Sequence, residues 1–385
     1  PTAKEFLPFD RLESTIRQAA QIGTKLFILT GGEPLMYRDP VRRKGYFDVV
    51  DCIRDTYREA GKDVKILTFD DVALITPSVA ARLAERRVGL CTKGDTLDEE
   101  LQDYKLQTRG AFKSMMRGYQ NLWDAGYGKT RELPIVVNTV LDHTTFEGLV
   151  DLHFWVREHD MEHSIVPVHY CGNAIEEDQE AGIHSPHVKV LYDLIARIDR
   201  DTFNDVWTPW SAFPKNKTCN RNLSGLHVRS SGLVTACSES PVLDESDGRG
   251  TDRYLFGNIN SDDISDIAQG QKLADYRQEF EAGVGEYVCN PDVCDLNAND
   301  LCRGGCATRS AYSAMDYATG LISLSSDRHR YSQFREDPLC PAWTILAEQQ
   351  GVLRPGLLDG IHARLINTSE RIDRKKYKRR ISLTV

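Results

Sequence analysis

Short apolar runs alternate with stretches of helical period through the first half of the chain, each punctuated by glycine or a capping residue. Leu12, Ile16, Ala19 and Ala20 recur at helical spacing between Asp10, an N-cap by residue type, and Gly23, a stop. The run from Lys25 to Thr30 then reads as a strand. The pattern continues with a helix over 46–60 ended by Gly61, a strand over 64–69, and a helix opened by Thr76-Pro77-Ser78 and running to Arg87. A strand over 88–92, a helix over 110–125, a strand over 135–141, a helix over 146–159 and a strand over 164–170 follow. Strands alternating with helices at this spacing predict right-handed βαβ units and a parallel sheet. The sheet has five strands, and its opening helix has no strand ahead of it.

Beyond the last strand the pattern changes. Residues 176–183 are polar and acidic and read as a linker, and Val188 to Ile198 forms an amphipathic helix closing the first domain. Val228 to Val234 predicts a β-hairpin with its turn at Ser231-Gly232, which delivers Cys237 beside Cys219. Trp343 to Gln350 reads as a helix ahead of a basic tail. A chain of 385 residues exceeds what one core usually holds, so a larger domain and at least one smaller one are expected.

The net charge of -9 argues against a nucleic-acid-binding surface over most of the molecule, and the basic run 374–380 reads as a solvated tail. No run is long and apolar enough to span a bilayer, and no signal-peptide pattern opens the chain. The expected setting is cytoplasmic. The chain opens Pro1-Thr2-Ala3-Lys4 without a methionine, which leads us to expect a natural start farther upstream. Of ten cysteines, Cys52, Cys91 and Cys171 are isolated, whereas seven crowd between Cys219 and Cys340, a clustering that points to metal.

Candidate chemistry begins where the first strand ends. Gly31 and Gly32 let the backbone bend and approach a ligand closely. Glu33 supplies an acceptor-only carboxylate, and Pro34 restricts Glu33 to an extended conformation. Such a ledge suits an ammonium group. The stretch resembles the Gly-Gly-Glu-Pro motif of radical S-adenosylmethionine (SAM) enzymes, where it binds the amino group of SAM. That resemblance implies a partial (β/α)6 TIM-like barrel, here lacking its first strand. In the family the first strand is followed by a Cys-x3-Cys-x2-Cys that binds the SAM-binding [4Fe-4S] cluster. This sequence contains no such triplet, so the resemblance places that cluster on an upstream segment.

Further positions fit the same resemblance. Thr92 or Asp95 lies where the family offers a polar group to SAM at the end of its fourth strand. Arg109, ahead of Gly110, matches an arginine that reaches the SAM carboxylate in some members, and Asn138 matches a polar position of the fifth strand. Read without the family, these are a strand end, a solvated helix N-terminus and a satisfied buried amide. Phe69-Asp70-Asp71 departs from the Thr-Asn-Gly of many relatives by placing bulk and charge after Thr68. Cys171, at the end of the last strand, reads as a buried inert thiol rather than a reactive one.

The later cysteines resemble the SPASM extension of these enzymes: Cys219, then Gly232-x4-Cys237, then a four-cysteine run Cys289, Cys294, Cys302 and Cys306, then Cys340. The run departs from the usual Cys-x2-Cys-x5-Cys-x3-Cys, since its first two gaps are four and seven residues. Zinc would also take thiolates, but a structural zinc closes with four ligands and leaves three of the seven over. Family topology implies one auxiliary [4Fe-4S] cluster on Cys219, Cys237 and Cys306, and a second on Cys289, Cys294, Cys302 and Cys340. The implied domains are a partial barrel over 1–175, a linker and bridging helix over 176–214, a small cysteine-rich SPASM domain over 215–345, and a C-terminal helix and basic tail over 346–385.

The implied activity is modification of a peptide or protein side chain by a 5′-deoxyadenosyl radical, as in peptide and sulfatase maturases. The expected partners are a peptide or protein substrate and an electron donor such as a ferredoxin or flavodoxin, with neither nucleic acid nor membrane. Two alternatives stay open: a radical SAM dehydrogenase of a small molecule, and a degenerate scaffold that keeps electron-transfer clusters. No catalytic base is assigned; Asp70, Asp71, Asp95 and Asp142 near strand ends are unranked candidates.

Overall fold

The computed structural model describes residues 6–128, 132–142, 144–146, 148–167, 185–207, 223–238, 240 and 254–283. Helix α1 (Phe9–Gln21) leads into β1 (Leu26–Leu29), and a 3-10 turn, Pro34–Met36, follows the strand. A two-strand ribbon, β2 (Arg38–Asp39) and β3 (Lys44–Gly45), precedes α2 (Tyr46–Glu59). Then come β4 (Lys65–Asp70), α3 (Pro77–Glu85), β5 (Val88–Lys93), α4 (Glu99–Lys105) and α5 (Ala111–Asp124). The first unit closes with β6 (Ile135–Leu141), α6 (Leu149–Glu158), β7 (Glu162–Pro167) and α7 (Ser185–Ile198).

The five main strands are parallel and lie in the order β1-β4-β5-β6-β7. Each strand of the sheet pairs with the next in sequence, the winding of a barrel wall rather than of a doubly wound sheet. Side chains alternate between the two faces of such a wall. One face carries Ile66, Thr68, Leu90, Thr92, Ile135, Val137 and Ile165, all buried against the helices. The opposite face, at the edge strand, leaves Leu26 46 % and Ile28 45 % exposed, so the inner surface there is open and apolar.

Local signals explain most boundaries. Thr76 caps α3 through its hydroxyl, which accepts from Val79 N at 3.3 Å, and Pro77 occupies the first turn. Asp10 does not cap α1. The helix begins at Phe9, and the Phe9 amide donates to Asp39 Oδ2 at 2.8 Å, so a buried carboxylate from the ribbon caps the helix across thirty positions. Asp10 instead sits in the first turn and pairs with Arg42. Helix α6 starts three residues later than its periodicity predicts, because the Asp142 carboxylate takes the amides of Thr144 and Thr145 and holds them in a turn.

A second, smaller unit holds the antiparallel strands β8 (His227–Val228), β9 (Leu233–Thr235) and β10 (Leu255–Asn258), in the order β10-β9-β8. The hairpin turn falls as the sequence predicts, with Gly232 at φ +91° donating to the Arg229 carbonyl. Helices Ile264–Gln269 and Gln271–Gly283 cover this sheet. The unit touches the first through Gln18 on α1, whose amide donates to Asp263 at 2.6 Å.

Candidate functional site

The ledge after β1 has the expected backbone. Glu33 is extended at φ -150°, ψ 101°, and Pro34 opens the 3-10 turn. A Cβ built on Gly31 or Gly32 would meet nothing within 4 Å, so this backbone is open to an approaching group. Glu33 is not wholly free, because its Oε1 accepts from Leu35 N at 3.2 Å.

Beside it stands a group that sequence reasoning left among unranked carboxylates. Oxygens of Glu33, Asp70 and Asp71 all lie within 4.8 Å of one another. Asp70 is 5 % exposed, and its Oδ1 accepts from Val72 N at 2.6 Å. Its Oδ2 is buried with no donor. Burial, then a hydrogen bond and charge repulsion with Glu33, pushes the Asp70 carboxyl up to about 9. Asp71 turns to accept from Ala73 N at 2.9 Å.

At β5 and β6 the candidates separate. Thr92 is fully buried and faces α5: its hydroxyl donates to the Val136 carbonyl and accepts from Tyr119 at 2.6 Å. Asp95 is also buried, accepts from Val140 N at 2.8 Å, and has its carboxyl raised by burial. Lys93, one step beyond Thr92, falls on the opposite face and is register-paired with Asn138. Asn138 is half-buried and accepts from the Ser164 hydroxyl at 3.0 Å. Sequence reasoning missed Lys93; the two-residue period of β5 was the available signal, since Thr92 and Lys93 cannot share a face. Arg109 is exposed in the turn before Gly110, and the amides that open α5 are capped by Asp103. Asp142 is paired with Lys105.

Of the seven clustered cysteines, Cys237 lies in the described residues; Cys219, Cys289, Cys294, Cys302, Cys306 and Cys340 lie outside them, as do Cys171, the helix over 343–350 and the basic tail. Cys237 follows β9 closely and is 8 % exposed, with its carbonyl accepting from the Thr235 hydroxyl at 2.8 Å.

A buried polar chain runs behind β6 and β7. His163 Nε2 meets the Thr139 hydroxyl at 2.9 Å, His163 Nδ1 meets His153 Nδ1 at 3.1 Å, and His153 Nε2 meets Asp199 at 2.9 Å. The Asp199 carboxylate accepts from His153 Nε2, and the Thr139 hydroxyl, which donates to the Gly94 carbonyl at 2.5 Å, accepts from His163 Nε2. Burial depresses the basicity of each ring, that of His163 well below its usual value. A histidine whose folded pKa is depressed stabilises the fold fully above its unfolded value near 6.5 and loses that contribution as pH falls. The melting temperature should accordingly drop between pH 7 and pH 5, and His163→Asn should flatten this dependence. Parallel curves for the two proteins would remove the assignment.

The comparisons agree with this architecture. The structure described as native anSMEcpe with bound AdoMet superposes with a TM-score of 0.58 at 14 % identity, covering 96 % of this chain and 93 % of that one. A second, native anSMEcpe with bound AdoMet and Kp18Cys peptide, gives 0.56 at 13 % identity over 92 % of this chain and 90 % of the other. Streptococcus suis SuiB bound to S-adenosylmethionine gives 0.58 at 15 % identity, covering 87 % of this chain and 70 % of that one. The chain has the partial-barrel fold of the radical SAM class, followed by a small SPASM-like unit. By sequence it is 27 % identical over 176 residues to the GTP 3′,8-cyclase of Edwardsiella ictaluri, a match covering 45 % of this chain. The chain spans about half the length of that curated relative, 48 %. No family model matches. No helix among the described residues is long and apolar enough to cross a membrane.

Proposed function

We propose that this chain is a radical SAM enzyme with auxiliary iron-sulfur clusters that modifies a peptide or protein side chain. The observation that carries the reading is the open Gly31-Gly32 ledge joined to a buried, donorless carboxylate oxygen, at the strand ends of a barrel wall. A donor set of this kind fits a primary ammonium: it accepts hydrogen bonds, carries negative charge and has no cation of its own among the described residues. When bound with its cluster, SAM supplies a 5′-deoxyadenosyl radical that abstracts hydrogen from a substrate.

The chain's own residues bind and orient. Glu33 and the backbone of Gly31 and Gly32, stiffened by Pro34, take the ammonium. Lys93, whose ammonium stands 3.9 Å from Asp95, supplies the cation for the ligand's carboxylate, with Arg109 as a further cation, and Asn138 presents an amide beside Lys93. Leu26, Ile28 and Phe69 line the inner face near the edge with apolar surface. The 385 residues include no Cys-x3-Cys-x2-Cys.

Peptide as substrate is supported by the likeness to anSMEcpe, whose structure holds a peptide. Cys219, Cys237 and Cys306 on one cluster, and Cys289, Cys294, Cys302 and Cys340 on another, form the proposed SPASM ligand sets. Thiolate-bound clusters call for a reducing compartment, in keeping with a cytoplasmic enzyme served by a ferredoxin or flavodoxin. The proposed domains are 1–175, 176–214, 215–345 and 346–385. A second reading, a small-molecule substrate, is favoured by the sequence match to a protein named for GTP.

Calorimetry on anaerobically reconstituted protein tests the binding site. SAM should bind, and Glu33→Gln should weaken it roughly tenfold to a hundredfold, the ~1.5–3 kcal/mol of a hydrogen bond to a charged group. Unchanged affinity would remove Glu33 from the site. Formation of 5′-deoxyadenosine by the reduced natural protein should depend on added peptide; dependence on GTP instead would select the second reading.

A further inference from the structure

The turn that carries Cys237 holds two buried donors without an acceptor. Val234 belongs to one apolar cluster with Ile264 and Ile267, and Ala236 to another with Leu273 and Tyr276, so these positions of the small sheet face its helices. Arg229, whose amide donates to the Leu233 carbonyl at 2.8 Å, and Thr235 alternate with them and fall on the opposite face. From that face the Arg229 guanidinium reaches the Cys237 turn, where its Nη2 donates to the Ser240 carbonyl at 2.7 Å. The Cys237 carbonyl accepts from the Thr235 hydroxyl at 2.8 Å and from Ser240 N at 3.1 Å. A turn closed in this way keeps its first and last Cα within about 7 Å, so Ser240 and Cys237 are neighbours. Ser240 is 1 % exposed, yet its Oγ has no partner, and neither has the buried Arg229 Nε. No carboxylate among the described residues pairs with Arg229. Buried donors left unmatched are rare in native proteins and point to a group that belongs beside them.

We propose that Arg229 Nε and Ser240 Oγ donate hydrogen bonds to sulfur of the iron-sulfur cluster that Cys237 ligates. This inference rests on the cluster reading above and makes both residues tuning and positioning groups rather than ligands. Thiolate and sulfide sulfur accept hydrogen bonds and carry negative charge, so two spare donors and an uncompensated guanidinium fit that group. An added electron makes the cluster more negative, and donors that already face it then bind it more strongly. Arg229 and Ser240 therefore raise the reduction potential of this one cluster. The cluster on Cys289, Cys294, Cys302 and Cys340 gains nothing from them.

The test is an anaerobic redox titration of the reconstituted 385-residue chain, followed by electron paramagnetic resonance. Two one-electron couples are expected, and Cys237→Ala identifies the one that belongs to its cluster by abolishing it. Arg229→Gln should keep its iron and lower the equilibrium constant for reduction of that couple roughly tenfold, about 59 mV, while the other couple stays in place. Ser240→Ala removes a neutral donor and should shift the same couple the same way by roughly threefold, again with its iron kept. A shift of both couples, or of neither, overturns the donor assignment. Loss of iron from Ser240→Ala would make Ser240 a ligand, and loss from Arg229→Gln would make Arg229 a staple of the turn; either overturns it too. If the wild-type chain binds no iron, the cluster reading fails and takes this inference with it.

Discussion

Gly118→Ala is expected to cost about 2–3 kcal/mol, read as a lower denaturant midpoint at unchanged slope, the range seen when atoms are forced into a filled core. Gly118 lies on the buried face of α5, where a methyl group would come within 2.0 Å of the Val72 carbonyl oxygen and 3.1 Å of the Val72 Cβ. The obstruction is backbone and cannot rotate aside. Val72 is itself fully buried at φ +61°, a conformation that a β-branched residue adopts only when its surroundings enforce it. Its amide holds Asp70. The same substitution should therefore move the residue 70–72 turn and weaken SAM binding, although Gly118 touches no ligand. A midpoint within roughly 0.5 kcal/mol of wild type would mean that α5 has room to spare at this crossing.

Most of the barrel wall was legible in the sequence because its strands are short apolar runs bounded by glycine and polar caps. Strand β6 falls over Ile135–Leu141 as read, and Thr76 caps α3 as its residue type indicates. Helix α4 was passed over, although Asp98 accepts from Leu101 N at 2.8 Å and two glutamates follow it. A seven-residue helix is too short for periodicity to register. The capping of α1 by Asp39 was invisible for a different reason. That contact joins residues far apart in sequence, and local residue type favoured Asp10.

The site was legible in kind and less so in detail. Gly31, Gly32, Glu33 and Pro34 announce a ledge through composition alone. The face on which a strand residue lies depends on register, and register is set by neighbouring strands. Thr92 was chosen on residue type, but its hydroxyl is used by Tyr119, while Lys93 holds the inner face. Asp70 stood among four equal candidates until the fold buried it near Glu33 and left its Oδ2 without a donor.

The largest change in composition is expected at Cys237. Reconstituted anaerobically, the 385-residue chain should bind about eight irons with equal sulfide, and Cys237→Ala in that chain should hold about four, since each [4Fe-4S] cluster depends on its own thiolates. Cys237 is suited to this test because it lies just beyond a strand whose pairing does not use its side chain. The strands β8, β9 and β10 are joined by backbone pairing, and the neighbouring Ala236, Tyr254, Leu273 and Tyr276 form a separate apolar cluster. Loss of one buried thiol should leave that cluster packed, so a fall in iron would report ligation and not unfolding. The three-cysteine set of Cys219, Cys237 and Cys306 should also be the more labile in the wild type, having one fewer thiolate to hold it. Cys302→Ala should remove a similar amount of iron from the other set, and the double variant should hold almost none. If metal analysis finds one or two zinc ions and no sulfide, the thiolates close structural sites and the auxiliary clusters are excluded. If Cys237→Ala loses all eight irons, the two sets are not independent and the interleaved partition is wrong.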